Sequence, residues 1–149
     1  MGALTDILAQ HTLIALDTSP FIFFFEKHPR YFPTVKELFE ALQKRANLYA
    51  CTSVVTLIEV CVLPLREGRL DLVRTYERAL LASRKIRTLD ITPYLAMEAA
   101  KLRARYNIRV PDAIQVAAAI LGGATLFVTN DKIFHRIKEI QVLLLSDLT

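Results

Sequence analysis

Cysteine is scarce in this sequence: only Cys51 and Cys61 occur, both in apolar surroundings. Their spacing matches neither a zinc pair nor a redox motif, so both are expected to be core residues in a reducing cytoplasm. His11, His28 and His135 are scattered, with no H-x-x-x-H pair and no Cys–His cluster. That pattern excludes a nitrogen and sulfur metal site and leaves oxygen as the ligand type for any metal. No G-x-G-x-x-G motif or P-loop is present, which removes the common nucleotide cradles. The longest uncharged run, Ala113 to Asn130, is interrupted by Gln115 and by Gly122-Gly123, so it is expected to be buried core and not a bilayer span. The N-terminal MGALTDILAQH has an acid and no basic region before its apolar residues, unlike a secretory signal. Asp6 also stands where a myristoylation signal needs a hydroxyl residue.

A chain of 149 residues, 53% hydrophobic and 23% charged, can bury a core of its own, and one domain over residues 1–149 is expected. No repeat or linker divides it. The net charge of +4 is unevenly spread. Between Arg66 and Arg109 there are eleven Lys or Arg against five Asp or Glu, a surplus of six that leaves the rest of the chain at −2. Such a basic middle suits contact with a polyanion. It is equally what alternating charges on solvated helix faces produce, as with Arg66, Arg69, Arg74, Arg78 and Arg84 among Glu67, Asp71 and Glu77.

Periodicity predicts strands and helices in alternation. Thr12 to Leu16 is a short apolar strand ending at Asp17; Thr18, Ser19 and Pro20 then suit the start of a helix through PFIFFFEK. FPTVKELFEALQKR places Val35, Leu38, Phe39 and Leu42 on one helical face. Asn47 to Cys51 reads as a second strand, followed by a helix, VVTLIEVCVL, capped by Thr52 or Ser53 and ended by Pro64. Helices over Leu70–Ser83 and Pro93–Tyr106 flank a strand at Ile86–Leu89. Pro111 opens another helix, ATLFV is a strand, DKIFHRIK a short helix and VLLL a last strand. Strands that are apolar without alternation belong in a sheet covered on both faces. The expected fold is therefore α/β, three layers in α/β/α order around a mainly parallel sheet.

Against this background three acids stand alone in apolar stretches: Asp17 in TLIALDTSPFIFFF, Glu59 in ACTSVVTLIEVCVLPL and Asp112 in VPDAIQVAAAILGGATLFV. A fourth, Asp131, follows in TLFVTNDKIF. Isolated carboxylates are costly to take out of water unless they are paired, neutralised or given a metal, and none of the first three stretches contains a Lys or Arg. Each acid also has an ordinary explanation. Asp17 and Asp131 could cap helices, Asp131 could instead pair with Lys132, and Asp112 could complement a helix dipole, whereas Glu59, mid-helix in apolar sequence, has no capping role and is expected to be largely removed from water. In parallel sheets, sites form at the carboxyl ends of strands, where Asp17 and Asp131 fall, with Glu59 and Asp112 on adjoining helices. Four such acids together would not all stay ionised, and a hard divalent cation, Mg²⁺ or Mn²⁺, resolves the repulsion. With a basic segment beside it, a cation of this kind suits phosphodiester hydrolysis. A phosphatase of the haloacid-dehalogenase type fits less well, because Ser19 stands where its second Asp belongs.

In order and spacing, LIALDTSPFI, TSVVTLIEV, VPDAIQVAAAI and LFVTNDKIF resemble the PIN-domain ribonucleases, in particular the compact VapC toxins of toxin–antitoxin pairs. The resemblance spans nearly the whole chain. It implies a doubly wound α/β/α fold and cleavage of RNA with Mg²⁺ or Mn²⁺ held by Asp17, Glu59, Asp112 and Asp131 as the catalytic and metal-binding set. The Thr129 hydroxyl would orient that set, and Ser19 matches a small polar position. Gln115 corresponds to no catalytic position in the family, and no function is attached to it. The implied partners are RNA, a second copy of the chain in a homodimer, and an antitoxin protein inserted into the acidic groove. Phe21, Phe23, Phe24 and Phe25 either face such a partner or fill the core. The alternative function is a catalytically silent RNA- or protein-binding module of the same fold.

Overall fold

Five short apolar runs pair side by side in a single parallel sheet. The computed structural model describes residues 2–148, and its strands are β1 (Leu13–Leu16), β2 (Tyr49–Ser53), β3 (Ile86–Leu89), β4 (Leu126–Thr129) and β5 (Gln141–Leu144). Their order is β3-β2-β1-β4-β5, every pairing parallel. The chain order reverses direction at β1, between β2 on one side and β4 on the other. A crevice forms outside the carboxyl ends at such a switch point. The helices are α1 (Ala3–Leu8), α2 (Thr18–Phe25), α3 (Phe32–Lys44), α4 (Val54–Arg66), α5 (Leu70–Leu81), α6 (Pro93–Tyr106) and α7 (Val110–Gly122). Two 3₁₀ segments, Lys132–Arg136 and Leu145–Leu148, complete the described chain.

Two cores lie on opposite sides of the sheet, as a three-layer α/β/α arrangement requires. One joins Leu4, Leu8, Phe21, Val35, Leu38, Tyr76 and Leu80 to strand residues Ile14, Leu16 and Val128; the other joins Leu102, Val116 and the alanines of α7 to Ala15, Cys51 and Phe127. Ala117, Ala118 and Ala119 let α7 approach the sheet closely, and Gly123, at φ 88° in the left-handed region, ends that helix. The phenylalanine cluster belongs to the first core. Phe21 is fully buried, and Phe24 stacks with Phe32 and Phe39 at centroid distances of 5.8 and 4.6 Å. Phe23, Phe24 and Phe25 are half-buried and pack against this core, whereas both free cysteines are buried. No helix among the described residues is long and apolar enough to cross a membrane.

Several local expectations need correction. Residues 3–8 form α1, which seats Leu4 and Leu8 in the core, although six residues are too few to show a helical period. Pro64 does not end α4, which continues to Arg66. Near a C-terminus a proline removes only one backbone bond, and the Pro64 carbonyl is satisfied by the Arg69 amide at 2.8 Å. β2 starts two residues later than expected, and the short helix expected over DKIFHRIK is a 3₁₀ helix confined to Lys132–Arg136.

Candidate active site

Asp17 sits immediately after β1, and its backbone amide extends the ladder by donating to the Val128 carbonyl at 3.0 Å. This pairing sets Asp17 beside Thr129, the last residue of β4. The Thr129 hydroxyl donates to Asp17 Oδ2 at 2.7 Å and accepts from the Asp131 amide at 3.1 Å. Although Asp17 occupies the N-cap position of α2, its side chain makes no capping bond. The ordinary explanation of this acid is therefore excluded: both of its oxygens point to side chains of other elements.

The second oxygen, Oδ1, accepts from the Gln115 side-chain amide at 3.3 Å. Gln115 is buried in α7, with 3% of its surface exposed. Its Nε2 also donates to Thr56 Oγ1 at 2.7 Å and lies 3.3 Å from Thr18 Oγ1, while its Oε1 accepts from Ser53 Oγ at 2.7 Å. An ionised carboxylate only accepts, so Asp17 requires the NH₂ end of the amide to face it, and the Ser53 hydroxyl satisfies the other end. Thr52 and Thr56 complete the network at 2.8 Å. Sequence reasoning missed this hub. The available signal was one polar residue in the apolar helix VPDAIQVAAAI, together with three hydroxyl residues in TSVVT.

Glu59 lies on α4 and is exposed, contrary to the expectation that it is withdrawn from water. Only one face of α4 packs inward, through Val55, Thr56, Val60, Cys61 and Pro64, and Glu59 lies outside it. Its Oε1 accepts from the Thr18 hydroxyl, which ties it to the residue after Asp17. Asp112, in the first turn of α7, is partly buried and is not unpaired: Arg109 Nε lies 3.3 Å from its Oδ2. The partner was outside the apolar stretch by sequence and returns through the helical i,i+3 spacing. Asp131 is exposed and caps the following 3₁₀ turn, its Oδ1 accepting from the Ile133 amide at 3.0 Å. Ser19 Oγ is buried and has no hydrogen-bond partner among the described residues.

The electrostatics centre on Asp17. Burial pushes its carboxyl up to about 6; the Thr129 hydrogen bond opposes that rise, and the charges of Glu59 and Asp112 add to it. Asp17, Glu59 and Asp112 thus share one electrostatic neighbourhood, to which Asp131 connects through the backbone bond to Thr129. Among the described residues, no three Asp, Glu, His or Cys side chains close into a group that could hold a metal ion. The donor chemistry nevertheless fits a hard divalent cation. The three acids offer only oxygen, and the dominant one is held in a position where its charge is poorly compensated.

No curated protein aligns closely enough to count as a relative. Solved structures do match in fold. The Sarcin-Ricin loop cleaving toxin VapC20 of Mycobacterium tuberculosis superimposes with a TM-score of 0.68 at 19% identity, over 86% of this chain and 98% of the other. A toxin–antitoxin complex from Klebsiella pneumoniae gives 0.66 at 23% identity, over 89% and 97%. VapBC2 of Rickettsia felis, bound to a DNA fragment from its promoter, gives 0.65 at 18% identity, over 88% and 97%. At these identities the likeness speaks for the fold. The sequence itself matches the PIN domain model over residues 14–140, a span that contains all four acids, Thr129 and the Gln115 hub, and the chain belongs to the PIN-domain family of nucleases.

Proposed function

We propose that this protein is an endoribonuclease that uses Mg²⁺ or Mn²⁺, and that it is the toxin of a toxin–antitoxin pair. The observation that carries the reading is Asp17, held through both oxygens by neutral donors while burial and two neighbouring acids push its carboxyl up to about 6. A carboxylate positioned so firmly at an energetic cost calls for a cation. Asp17, Glu59 and Asp112 would hold that cation, with Asp131 completing its shell or orienting the attacking water. When bound, it supplies an activated water and neutralises charge on the scissile phosphate.

The remaining work falls to this chain's own side chains. Gln115 and Thr129 fix the two oxygens of Asp17, and Thr18 fixes Glu59. Arg109, whose side chain is largely exposed and pairs with Asp112, would offer positive charge to an incoming phosphate. The VapC structures that resemble this chain in fold include complexes with antitoxins, which supports an antitoxin partner here. A second copy of the chain is the other partner we propose. α4 supports it by exposing Ile58, Val62 and Leu65 in one row at i, i+4 and i+7, with Ile58 60% and Leu65 55% exposed.

The test is cleavage of tRNA, rRNA and mRNA by the purified protein with Mn²⁺. Activity that survives EDTA, or survives Asp17→Asn, rules this function out. The Arg109–Asp112 ion pair and the open arrangement of the acids favour a second reading, a module that binds RNA or protein without turnover. Retained RNA binding with no cleavage across that panel would establish it.

A further inference from the structure

The basic segment separates into two kinds of cation. Arg69, Arg74, Lys101, Arg105 and Arg109 each face a carboxylate. Those are solvated faces or local pairs. Arg66, Arg78, Arg84, Lys85, Arg87 and Arg103 face none among the described residues, and of these only Arg84, Lys85 and Arg87 cluster, around the start of β3. Lys85 Nζ donates to the Arg45 carbonyl at 2.8 Å and lies 4.3 Å from the centre of the Tyr49 ring. Arg87 Nη2 reaches the Gly122 carbonyl at 3.4 Å. A carbonyl or a ring orients a cation without neutralising it, so three positive charges remain uncompensated within four residues.

These residues line concave surface. A cleft of about 640 Å³ contains Tyr49, Arg84, Lys85, Arg87 and Thr88, with no acid in its wall. A second, of about 430 Å³, begins at the same Arg87 and Thr88 and continues past Asp90 to Tyr94. Together they follow β3, the edge strand of the sheet, from its first residue to its carboxyl end. Tyr49 is 46% and Tyr94 69% exposed, so each end of the path carries an aromatic surface that the core does not use. The far end is also the end of the parallel sheet where Asp17 lies, two strand spacings away, roughly 10 Å.

We propose that this edge is a track for single-stranded RNA. Arg84, Lys85 and Arg87 contact successive phosphates, and Tyr94 stacks on a base where the strand turns toward the carboxylates. Cations spaced along a groove with interleaved aromatics are what a sequence-tolerant grip on a flexible polyanion requires. A duplex fits less well, because stacked bases inside a helix offer no face to Tyr94. The track rests on the ribonuclease reading above and deepens it by assigning where the substrate is held.

The test measures binding of a fluorescein-labelled oligouridylate to the full chain in EDTA, which prevents cleavage, over a series of salt concentrations. The variant Arg84→Gln/Lys85→Gln/Arg87→Gln is expected to bind roughly tenfold more weakly or worse, with a salt slope shallower by about 2, the value for three lost single-strand phosphate contacts. Tyr94→Ala, at an exposed position, is expected to weaken binding by roughly tenfold while leaving the slope unchanged. Removing the same charge elsewhere, with Lys27→Gln/Lys36→Gln/Lys138→Gln, should cost no more than about twofold, the size of a screened long-range effect. A wild-type chain that cleaves RNA, combined with a triple variant no weaker than this control, overturns the track and leaves the nuclease reading standing. A loss of affinity for duplex DNA without loss for the oligouridylate overturns it in favour of a duplex site. A wild-type chain that neither binds nor cleaves RNA overturns both readings. Thermal unfolding of each variant separates lost contacts from lost fold, and Tyr94→Ala and Arg84→Gln alone keep the test valid if the triple variant unfolds.

Discussion

Gln115 Nε2 lies 3.3 Å from Asp17 Oδ1, a contact between residues 98 apart in sequence that joins α7 to the end of β1. The same amide is tied to Ser53 and Thr56 at the end of β2 and the start of α4. One buried side chain thus connects the three segments that carry Asp17, Glu59 and Asp112. Replacing it with methionine keeps the volume and removes every one of these bonds. The buried Ser53 hydroxyl then loses the acceptor of its proton, and Thr56 loses one bond while keeping Thr52, which together costs about 1–3 kcal/mol of stability. Cleavage should fall by roughly 10- to 100-fold, the usual cost of losing a group that orients a metal-binding carboxylate. Denaturant unfolding and RNA cleavage by Gln115→Met check the two effects; full activity would show that Asp17 needs no such support.

The pH dependence of stability follows from the same carboxyl. Its folded value of about 6 stands above the ordinary 3.8, so the folded state holds the proton more tightly than the unfolded state. The metal-free protein therefore loses stability as pH rises from about 4 to about 6, and the loss is complete above that window. Two units correspond to about 3 kcal/mol. Asp17→Asn removes the penalty, so metal-free Asp17→Asn should be more stable than the native chain at pH 8 and no more stable at pH 4. Chemical denaturation at the two pH values measures this. An Asp17→Asn protein less stable at pH 8 would mean that the carboxylate's hydrogen bonds outweigh its burial.

Much of this arrangement was legible in the sequence because strands buried on both faces have a strong local signature. LIAL, ATLFV and the run at residues 86–89 lie at or within two residues of β1, β4 and β3, and Asp17 follows directly from the first. Long amphipathic segments were equally clear, since Val35, Leu38, Phe39 and Leu42 recur at helical spacing. Exposure was less legible. Glu59 looked buried because its sequence neighbours are apolar, yet Ile58, Val62, Leu63 and Leu65 face outward with it. Composition reports what a helix contains, and only tertiary packing decides which stripe turns inward. Partners distant in sequence were the least legible, because nothing local to DAIQV names Asp17 as the recipient of an amide bond.

Adding a cation reverses the penalty at Asp17. Bound Mg²⁺ or Mn²⁺ stabilises the ionised form, and a ligand at about 100 times its dissociation constant raises folding stability by about 2.7 kcal/mol. The melting temperature at pH 8 should therefore rise with Mn²⁺ in the native chain and not in Asp17→Asn, and EDTA should abolish both the rise and RNA cleavage. Calorimetric melts with and without Mn²⁺ decide this. An equal rise in both proteins would place the ion elsewhere.

The outward row on α4 makes the last prediction. Ile58, Val62 and Leu65 are too close together to be scattered surface residues, and Glu59 sits beside them at the edge of the site. If a second copy of the chain covers this row, Ile58→Asp/Leu65→Asp places two charges in an apolar contact and dissociates the dimer. Both positions are exposed in the single chain, so its folding should change by no more than about 0.5 kcal/mol. Light scattering on the eluting protein should give the mass of two chains for the native sequence and of one for the variant, at unchanged melting temperature. A native protein that elutes as a single chain would leave this row to the antitoxin. In that case the same two substitutions should abolish antitoxin binding while sparing cleavage, because neither side chain touches Asp17, Glu59 or Asp112 through a hydrogen bond or ion pair.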